Sequence, residues 1–72
     1  MSVKTVTNQR ETEVVASQKN FSFHYVKPNN ENDLKREGRT LKIRNNSQRR
    51  WFTLGGREIN ALKKILQDAG EI

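Results

Sequence analysis

The feature that most constrains the fold is a change in the spacing of apolar residues along the chain. From Phe21 to Tyr25, aromatic residues alternate with Ser22 and His24, a period of two that is typical of a half-buried strand. From Ile59 onward, apolar residues recur every three or four positions, which is the period of an amphipathic helix. This order predicts an α+β fold in which a three- or four-stranded antiparallel sheet packs against one C-terminal helix.

Two segments are predicted from this pattern, a flexible N-terminal tail over residues 1–19 and a single small α+β domain over residues 20–72. The first segment is polar, with valines scattered among Thr, Gln and Glu. Two alternatives for it are a short edge strand over Thr12–Ala16 and an arm that orders on a partner. The chain has no cysteine, so its core has to come from packed apolar groups alone. The predicted core contains Phe21, Phe23, Leu41, Ile43, Phe52, Leu54, Ile59, Leu62, Ile65 and Leu66.

Local signals set the expected ends of the first strand and of a short helix. Asn20–Lys27 is predicted to be a strand, because Pro28 has no N–H to donate to a sheet ladder. Asp33 is in a position to cap a single helical turn over Leu34–Glu37, which Gly38 would close.

The C-terminal helix is predicted over Arg57–Ala69. Its apolar stripe runs from Ile59 through Leu62 and Leu66, and Gly70 is a suitable residue to follow its end.

A β-hairpin is predicted from Arg39–Arg44 and Arg49–Leu54, which flank an Asn-rich turn. If the loop holds an even number of residues, Leu41 lies opposite Phe52 in the core. The other face then carries Trp51 together with the basic side chains. If the number is odd, the two faces are exchanged and Trp51 turns inward.

We favour the even loop because it leaves most of the charge outside. Its cost is that Arg44 lies opposite Arg49, a like-charge pair that would repel unless an anion lies between them. Two interpretations of Trp51 remain open. It is either an exposed platform for an unpaired base, or a core residue in a domain with few large apolar groups.

The charge of the chain is concentrated in one segment. Ten of the fourteen Lys and Arg residues fall between Lys35 and Lys64, where Glu37 and Glu58 are the only acids, a formal +8. Such a one-sided charge predicts a surface that binds an anionic partner. Charge alone does not decide between nucleic acid and an acidic protein surface.

The candidate binding residues are the basic and aromatic side chains of the hairpin and of the start of the helix. Arg side chains can bind phosphates through two parallel hydrogen bonds, and an indole can stack on a base for about 1–3 kcal/mol. The candidates are Lys42, Arg44, Arg49, Arg50, Trp51 and Arg57. A weaker signal is Gly55-Gly56 before the helix, where backbone N–H groups could hold a phosphate.

Composition argues against catalysis. With one histidine and no cysteine, the chain offers little for a nucleophile–base pair, and Ser22 and His24 have no obvious acid to orient them. We therefore expect a protein that is not an enzyme and has no cofactor or metal site. No apolar run is long enough to span a membrane, and no secretory signal is evident, so we expect a cytoplasmic protein without membrane contact.

The segment Arg50–Leu54 followed by Ile59–Leu66 resembles the PC4-like family of transcription cofactors. The resemblance extends over roughly Phe21–Ala69. It implies a curved antiparallel sheet followed by one helix, a dimer, and single-stranded DNA bound on basic and aromatic residues of the sheet. In size and charge the chain is also similar to the small early regulators that bacteriophages make against host RNA polymerase.

Three functions follow as hypotheses. The first is a non-enzymatic module that binds nucleic acid, single-stranded, in transcription control. The second is a modulator of a larger machine such as RNA polymerase, which docks by strand addition at the N-terminal segment or at the edge of the Phe21–Tyr25 strand. The third, binding to acidic lipid, ranks lowest because the helix lacks an aromatic-rich apolar face. The sequence leaves open whether the chain is a monomer or a homodimer.

Overall fold

The computed structural model describes residues 2–72. The fold is α+β, as expected, and its antiparallel sheet has five strands rather than three or four. The strands are β1 Ser2–Thr7, β2 Glu11–Gln18, β3 Phe21–Pro28, β4 Thr40–Asn45 and β5 Arg50–Leu54. The helices are α1 Glu31–Glu37 and α2 Gly56–Asp68. The strands lie in the sheet in the order of the chain, so each connection joins neighbouring strands.

The two additional strands come from the segment for which a tail was predicted. β1 pairs with β2 from Ser2 opposite Ser17 to Thr7 opposite Thr12. β2 then pairs with β3 along its whole length. The boundary predicted between residues 19 and 20 therefore falls in the tight turn between two paired strands. The alternative of a strand near residues 12–16 was closer to the structure, although β2 is interior and not at an edge.

The edges of the sheet are β1 and β5. β3 pairs with β2 on one side and with β4 on the other. Strand addition at Phe21–Tyr25 was predicted as one route for a protein partner. That prediction is wrong, because the backbone groups of β3 are already used inside the sheet.

The sheet has two faces of different character, because side chains alternate along each strand. Val14 and Tyr25 line a groove together with Leu34 of α1 and Ile59 of α2, so the helices lie on this side, the helix-side face. The opposite side, the open face, carries no helix among the described residues. By the strand register, the open face of β3, β4 and β5 presents Ser22, His24, Val26, Thr40, Lys42, Arg44, Trp51 and Thr53.

The hairpin loop is even, as predicted, but the register differs from the prediction by two residues. The loop contains the four residues 46–49. The paired residues are Leu41 with Leu54, Lys42 with Thr53, Ile43 with Phe52, Arg44 with Trp51, and Asn45 with Arg50. The predicted pairs Leu41–Phe52 and Arg44–Arg49 are therefore wrong. The loop is displaced by one residue relative to the predicted strand ends, which removes the like-charge pair because Arg49 moves into the turn.

Helix α1 begins earlier than predicted. Its N-cap is Asn30 rather than Asp33, and the Asn30 side chain accepts a hydrogen bond from the backbone N–H of Asn32 at 2.8 Å. Gly38 ends the helix, as predicted, with a φ of 74° in the region that favours glycine.

Helix α2 runs from Gly56 to Asp68, one residue ahead of the prediction at each end. It ends in a Schellman motif at Gly70, whose φ is 80°. Within this motif the N–H of Glu71 donates to the carbonyl of Leu66 at 2.8 Å. The N–H of Gly70 donates to the carbonyl of Gln67 at 3.1 Å. The glycine predicted to follow the helix is thus confirmed.

The core differs most from the prediction. Among the described residues, no apolar side chain of the predicted core is buried, and Pro28 is the one residue in the buried class. Six predicted core residues are half-buried. The other four are exposed, namely Phe21 at 38%, Phe52 at 61%, Leu62 at 39% and Ile65 at 64%. Neither described helix is long and apolar enough to cross a membrane.

Candidate nucleic-acid interface

The structure separates the six candidate binding residues into three places. Lys42, Arg44 and Trp51 lie together on the open face. Arg49 lies in the turn at the tip of the β4–β5 hairpin. Arg50 pairs with Asn45 and therefore belongs to the helix-side face, and Arg57 lies in the first turn of α2. The open face thus brings three candidates together, with Arg49 at its end.

Arg44 and Trp51 form the best-defined contact of this group. They are directly opposite each other on β4 and β5, and the Arg44 guanidinium carbon lies 5.5 Å from the centre of the Trp51 ring. A cation at this distance from an indole face is attracted by about 0.5–1 kcal/mol at an exposed site. The contact therefore favours a position of the guanidinium over the indole.

The Arg44 Nε has no hydrogen-bond partner, although the atom itself is shielded from solvent. A buried donor without an acceptor is unfavourable by about 1–3 kcal/mol, more for a charged group. Because the atom is enclosed, an anion would reach it only if the groups around it moved aside. The described residues give Arg44 no ion pair with an acidic side chain.

Trp51 is 52% exposed, so it is not a core residue. The strand register turns its ring to the open face, which is the outcome of the even loop. An exposed indole is unfavourable in water unless a partner covers it, and aromatic side chains are enriched at binding surfaces for this reason.

The surroundings of Lys42 and Arg44 set the charge of the open face. His24 lies opposite Lys42, and Ser22 lies opposite Arg44. No Asp or Glu occurs between Thr40 and Leu54, so the β4–β5 hairpin carries four positive side chains and no acid. The acids of this face, Glu11 and Glu13, are on β2 and therefore farther from the hairpin. The positive field is thus strongest over β4 and β5.

The turn holds Arg49 in an unfavourable backbone conformation. Its φ is 55°, in the left-handed region that side chains other than glycine and asparagine seldom adopt. The Asn45 side chain accepts hydrogen bonds from the N–H groups of Ser47 and Gln48 at 3.0 and 3.4 Å. The N–H of Arg49 donates to the Asn45 carbonyl at 2.8 Å. The loop itself therefore fixes the strained residue in place.

Ser22 and His24 share the open face, but they are not arranged as a nucleophile and its base. The Ser22 hydroxyl donates to Asn46 Oδ1 at 3.3 Å, not to the imidazole. Sequence reasoning found no acid beside His24, whereas the structure brings Glu13 Oε2 to within 3.5 Å of its Nε2. This proximity depends on the β2–β3 register, which could not be known without β2 as an interior strand of the sheet. Among the described residues, no group of three or more metal-ligating side chains is present.

A second basic cluster, of which only Arg57 was predicted as a binding residue, lines the groove between the helices and the sheet. Its members are Lys27, Arg39, Arg57 and Lys63. Arg39 Nη2 donates to the Gly56 carbonyl at 3.2 Å and also to Asn60 Oδ1, so it holds the start of α2. No local pattern could have indicated this role, because the two partners lie 17 and 21 residues farther along the chain.

The start of α2 is a poor place for a phosphate. Gly55 is its N-cap and has no side-chain hydrogen bond. A carboxylate oxygen of Glu58 lies only 3.3 Å from where a Cβ on Gly55 would stand. The partial positive charge of the helix end is thus already opposed by an acid, which works against the weak phosphate-binding signal in the sequence.

Comparisons with models of known protein families, with curated proteins and with solved structures find no significant match. The resemblance to PC4-like transcription cofactors and the class likeness to bacteriophage regulators therefore stay predictions.

Proposed function

We propose that this chain is a cytoplasmic, non-enzymatic regulatory module that binds single-stranded nucleic acid in transcription control. The binding surface is the open face of the β4–β5 hairpin. Lys42 and Arg44 contact phosphates, Trp51 stacks on a base, and Arg49 extends the positive surface at the tip.

The observation that carries this proposal is the contact between Arg44 and Trp51. The guanidinium lies over one part of an indole that is itself half exposed, and its Nε has no hydrogen-bond partner. A phosphate beside a base offers both missing interactions, an anionic acceptor for Arg44 and a flat aromatic surface for Trp51. An unpaired strand suits this surface better than a duplex, because only unpaired bases can leave the stack to reach an indole.

Fluorescence can test the proposal directly, because Trp51 is the only tryptophan of the chain. We expect a single-stranded oligothymidylate to quench the Trp51 emission at low salt, as a base stacks on the indole. If Lys42, Arg44 and Arg49 each neutralise one phosphate, the logarithm of the binding constant should fall against the logarithm of salt concentration with a slope near −2, at about −0.7 for each contact.

The matched variants are Arg44→Ala and Arg36→Ala. Both remove one positive charge, but Arg36 is paired with Asp33 at 2.7 Å and lies on α1, which is on the helix side of the sheet and not on the open face. Arg44→Ala should flatten the salt slope by about 0.7, whereas Arg36→Ala should leave it unchanged. Equal losses in the two variants would mean that net charge, not this surface, drives binding. An absence of quenching at low salt would end the proposal.

The alternative is a modulator that binds an acidic protein surface, for example on RNA polymerase. One observation favours it: β1 is an edge strand, and all of its residues are exposed. Such an edge can pair with a strand of another protein. Pull-down from a cell extract after nuclease treatment separates the two functions. A protein partner that survives nuclease supports the alternative, and loss of every partner supports nucleic acid.

A further inference from the structure

The groove between the helices and the sheet has a volume of about 960 Å³. Small-molecule sites have roughly 300–1,000 Å³, a mostly apolar lining and a few polar groups that orient the ligand. The floor of this groove consists of half-buried side chains from four different elements, namely Val14 of β2, Tyr25 of β3, Leu34 of α1 and Ile59 of α2. The groove thus has the size and the lining of a site for a small molecule.

Positive side chains surround this floor, and no Asp or Glu is among the residues that line it. Lys27, Arg57 and Lys63 are exposed at the rim, and none of them forms an ion pair with a described acid. Arg39, the fourth cation, is bound to two neutral groups, a backbone carbonyl and a side-chain amide of α2. Like charges that converge on one hollow repel each other unless an anion lies among them.

The acids of the two helices do not neutralise this cluster. Asp33 of α1 is paired with Arg36 at 2.7 Å, and Glu37 lines a separate hollow together with these two residues. Glu58 of α2 places a carboxylate oxygen beside Gly55, at the start of the helix, and does not line the groove. The groove therefore keeps a positive field that no side chain of its own lining balances.

We propose that this groove binds a small amphipathic anion, a molecule with an aliphatic body and one negatively charged head, as in a fatty acid. The aliphatic body lies on Val14, Leu34 and Ile59, where it removes their half-exposed surface from water. The anionic head lies at the rim, where Arg57 and Lys63 donate charge-assisted hydrogen bonds to it.

The polar groups of the lining favour this class over ligands that carry many polar atoms. Apart from the cations, the polar side chains at the groove are Tyr25 and Asn60, and the Asn60 oxygen already accepts from Arg39. A nucleotide base or a sugar would place oxygen and nitrogen atoms against an aliphatic floor without partners, which is unfavourable. An anion with an aliphatic body satisfies both the floor and the rim.

This site goes beyond the proposed function and does not depend on it. The nucleic-acid surface lies on the open face, around Arg44 and Trp51, whereas the groove lies on the opposite side of the sheet. Failure to bind an amphipathic anion would leave the quenching of Trp51 by oligothymidylate as expected. The failure of either proposal can therefore be recognised separately.

Proton–nitrogen correlation spectra recorded during addition of decanoate, below the concentration at which it forms micelles, test the proposal. The amide signals of Val14, Leu34 and Ile59 should shift and saturate, while the Trp51 indole signal stays in place. Decyltrimethylammonium has a chain of the same length and a positive head, so it should bind at least about tenfold more weakly. Thymidine monophosphate and tetraglutamate are anions without an aliphatic body, so neither should shift these signals at the same concentration.

The matched variants are Lys63→Gln and Lys64→Gln. Both remove one positive charge from neighbouring exposed positions of α2, so neither substitution disturbs a buried contact. Lys63 lines the groove and Lys64 does not. Lys63→Gln should weaken decanoate binding roughly two- to fivefold, whereas Lys64→Gln should leave it unchanged.

Four results would overturn the proposal. They are an absence of shifts in the groove with decanoate, equal affinity for decanoate and decyltrimethylammonium, equal losses in the two lysine variants, and binding of thymidine monophosphate or tetraglutamate in the groove as tightly as decanoate. The last result would mean that the groove recognises charge alone, as it would in a partner with many acidic groups.

Discussion

Replacing Arg49 with glycine should make the protein more stable, although it removes a side chain from the hairpin. Arg49 has a φ of 55°, and a residue with a Cβ is strained there. Glycine adopts this region at no steric cost and keeps the N–H that donates to the Asn45 carbonyl at 2.8 Å. The substitution therefore relieves strain and breaks no hydrogen bond of the loop.

The expected gain is the difference of two effects. The left-handed conformation is unfavourable by about 1–2 kcal/mol for a residue other than glycine. Glycine in turn loses more chain entropy on folding, by roughly 0.5–1 kcal/mol. The net stabilisation is about 0.5–1 kcal/mol, which raises the melting temperature of a domain of this size by roughly 2–8 °C.

Thermal melts followed by circular dichroism, at equal protein concentration, measure this change. Arg50→Gly is the matched control, since it is the same substitution one residue later and removes the same charge. Arg50 lies in β5, where glycine weakens a strand by about 0.5–1 kcal/mol, so its melting temperature should fall. The opposite changes in melting temperature show that Arg49 lies in the turn and Arg50 in the strand. If both variants lower the melting temperature, the loop does not span residues 46–49 and the register that aligns Arg44 with Trp51 is incorrect.

Three further substitutions have defined outcomes. Gly70→Ala should lower the free energy of unfolding by about 1 kcal/mol in a urea titration, because a residue with a Cβ is strained at a φ of 80°. The added Cβ would meet no atom within 4 Å, so a steric clash does not contribute to this loss. An unchanged midpoint would contradict the Schellman end of α2. Asn30→Ala should lower the free energy of unfolding by about 1 kcal/mol in the same titration, because α1 loses its N-cap. An unchanged free energy of unfolding would mean that the helix begins at another residue. Trp51→Ala should weaken binding of oligothymidylate roughly 5- to 150-fold in fluorescence anisotropy, equivalent to about 1–3 kcal/mol; equal affinity would exclude stacking.

The parts of the fold that the sequence predicted correctly are those with a strong local signal. The alternation around Phe23 indicated β3, the stripe from Ile59 indicated α2, and two glycines marked the helix ends. The parity of the hairpin also followed from local pattern, because an even loop places Phe52 and Leu54 on the same face as Leu41 and Ile43. The even number of residues in the loop was enough to predict that Trp51 lies on the open face.

The parts that it did not predict depend on contacts distant in the sequence. In β1 and β2 the valines are divided between both faces: Val14 faces the helix side and Val15 the open side, so no alternation is visible. The hairpin register depended on the loop accepting a left-handed Arg49, which arginine does not favour. The two-residue shift that followed moved Arg49 into the turn and set Arg44 opposite Trp51, while Arg50 kept its face because a shift of two residues leaves the parity unchanged.

The exposed core could not be foreseen either. Apolar positions on a strand or helix indicate that a face is to be covered, but not by which chain. The same stripe through Leu62 and Ile65 is consistent with packing inside one domain or against a second copy. Only the fold shows that the stripe stays partly uncovered within one chain, with Leu62 at 39% and Ile65 at 64% exposure.

The most direct test of the account is a proton–nitrogen correlation spectrum recorded during addition of single-stranded oligothymidylate at low salt. We expect shifts of the Trp51 indole signal and of the amides of Lys42 and Arg44, while the signals of α2 stay in place. Shifts confined to α2 and the groove at Arg39 and Lys63, with the indole unmoved, would contradict it.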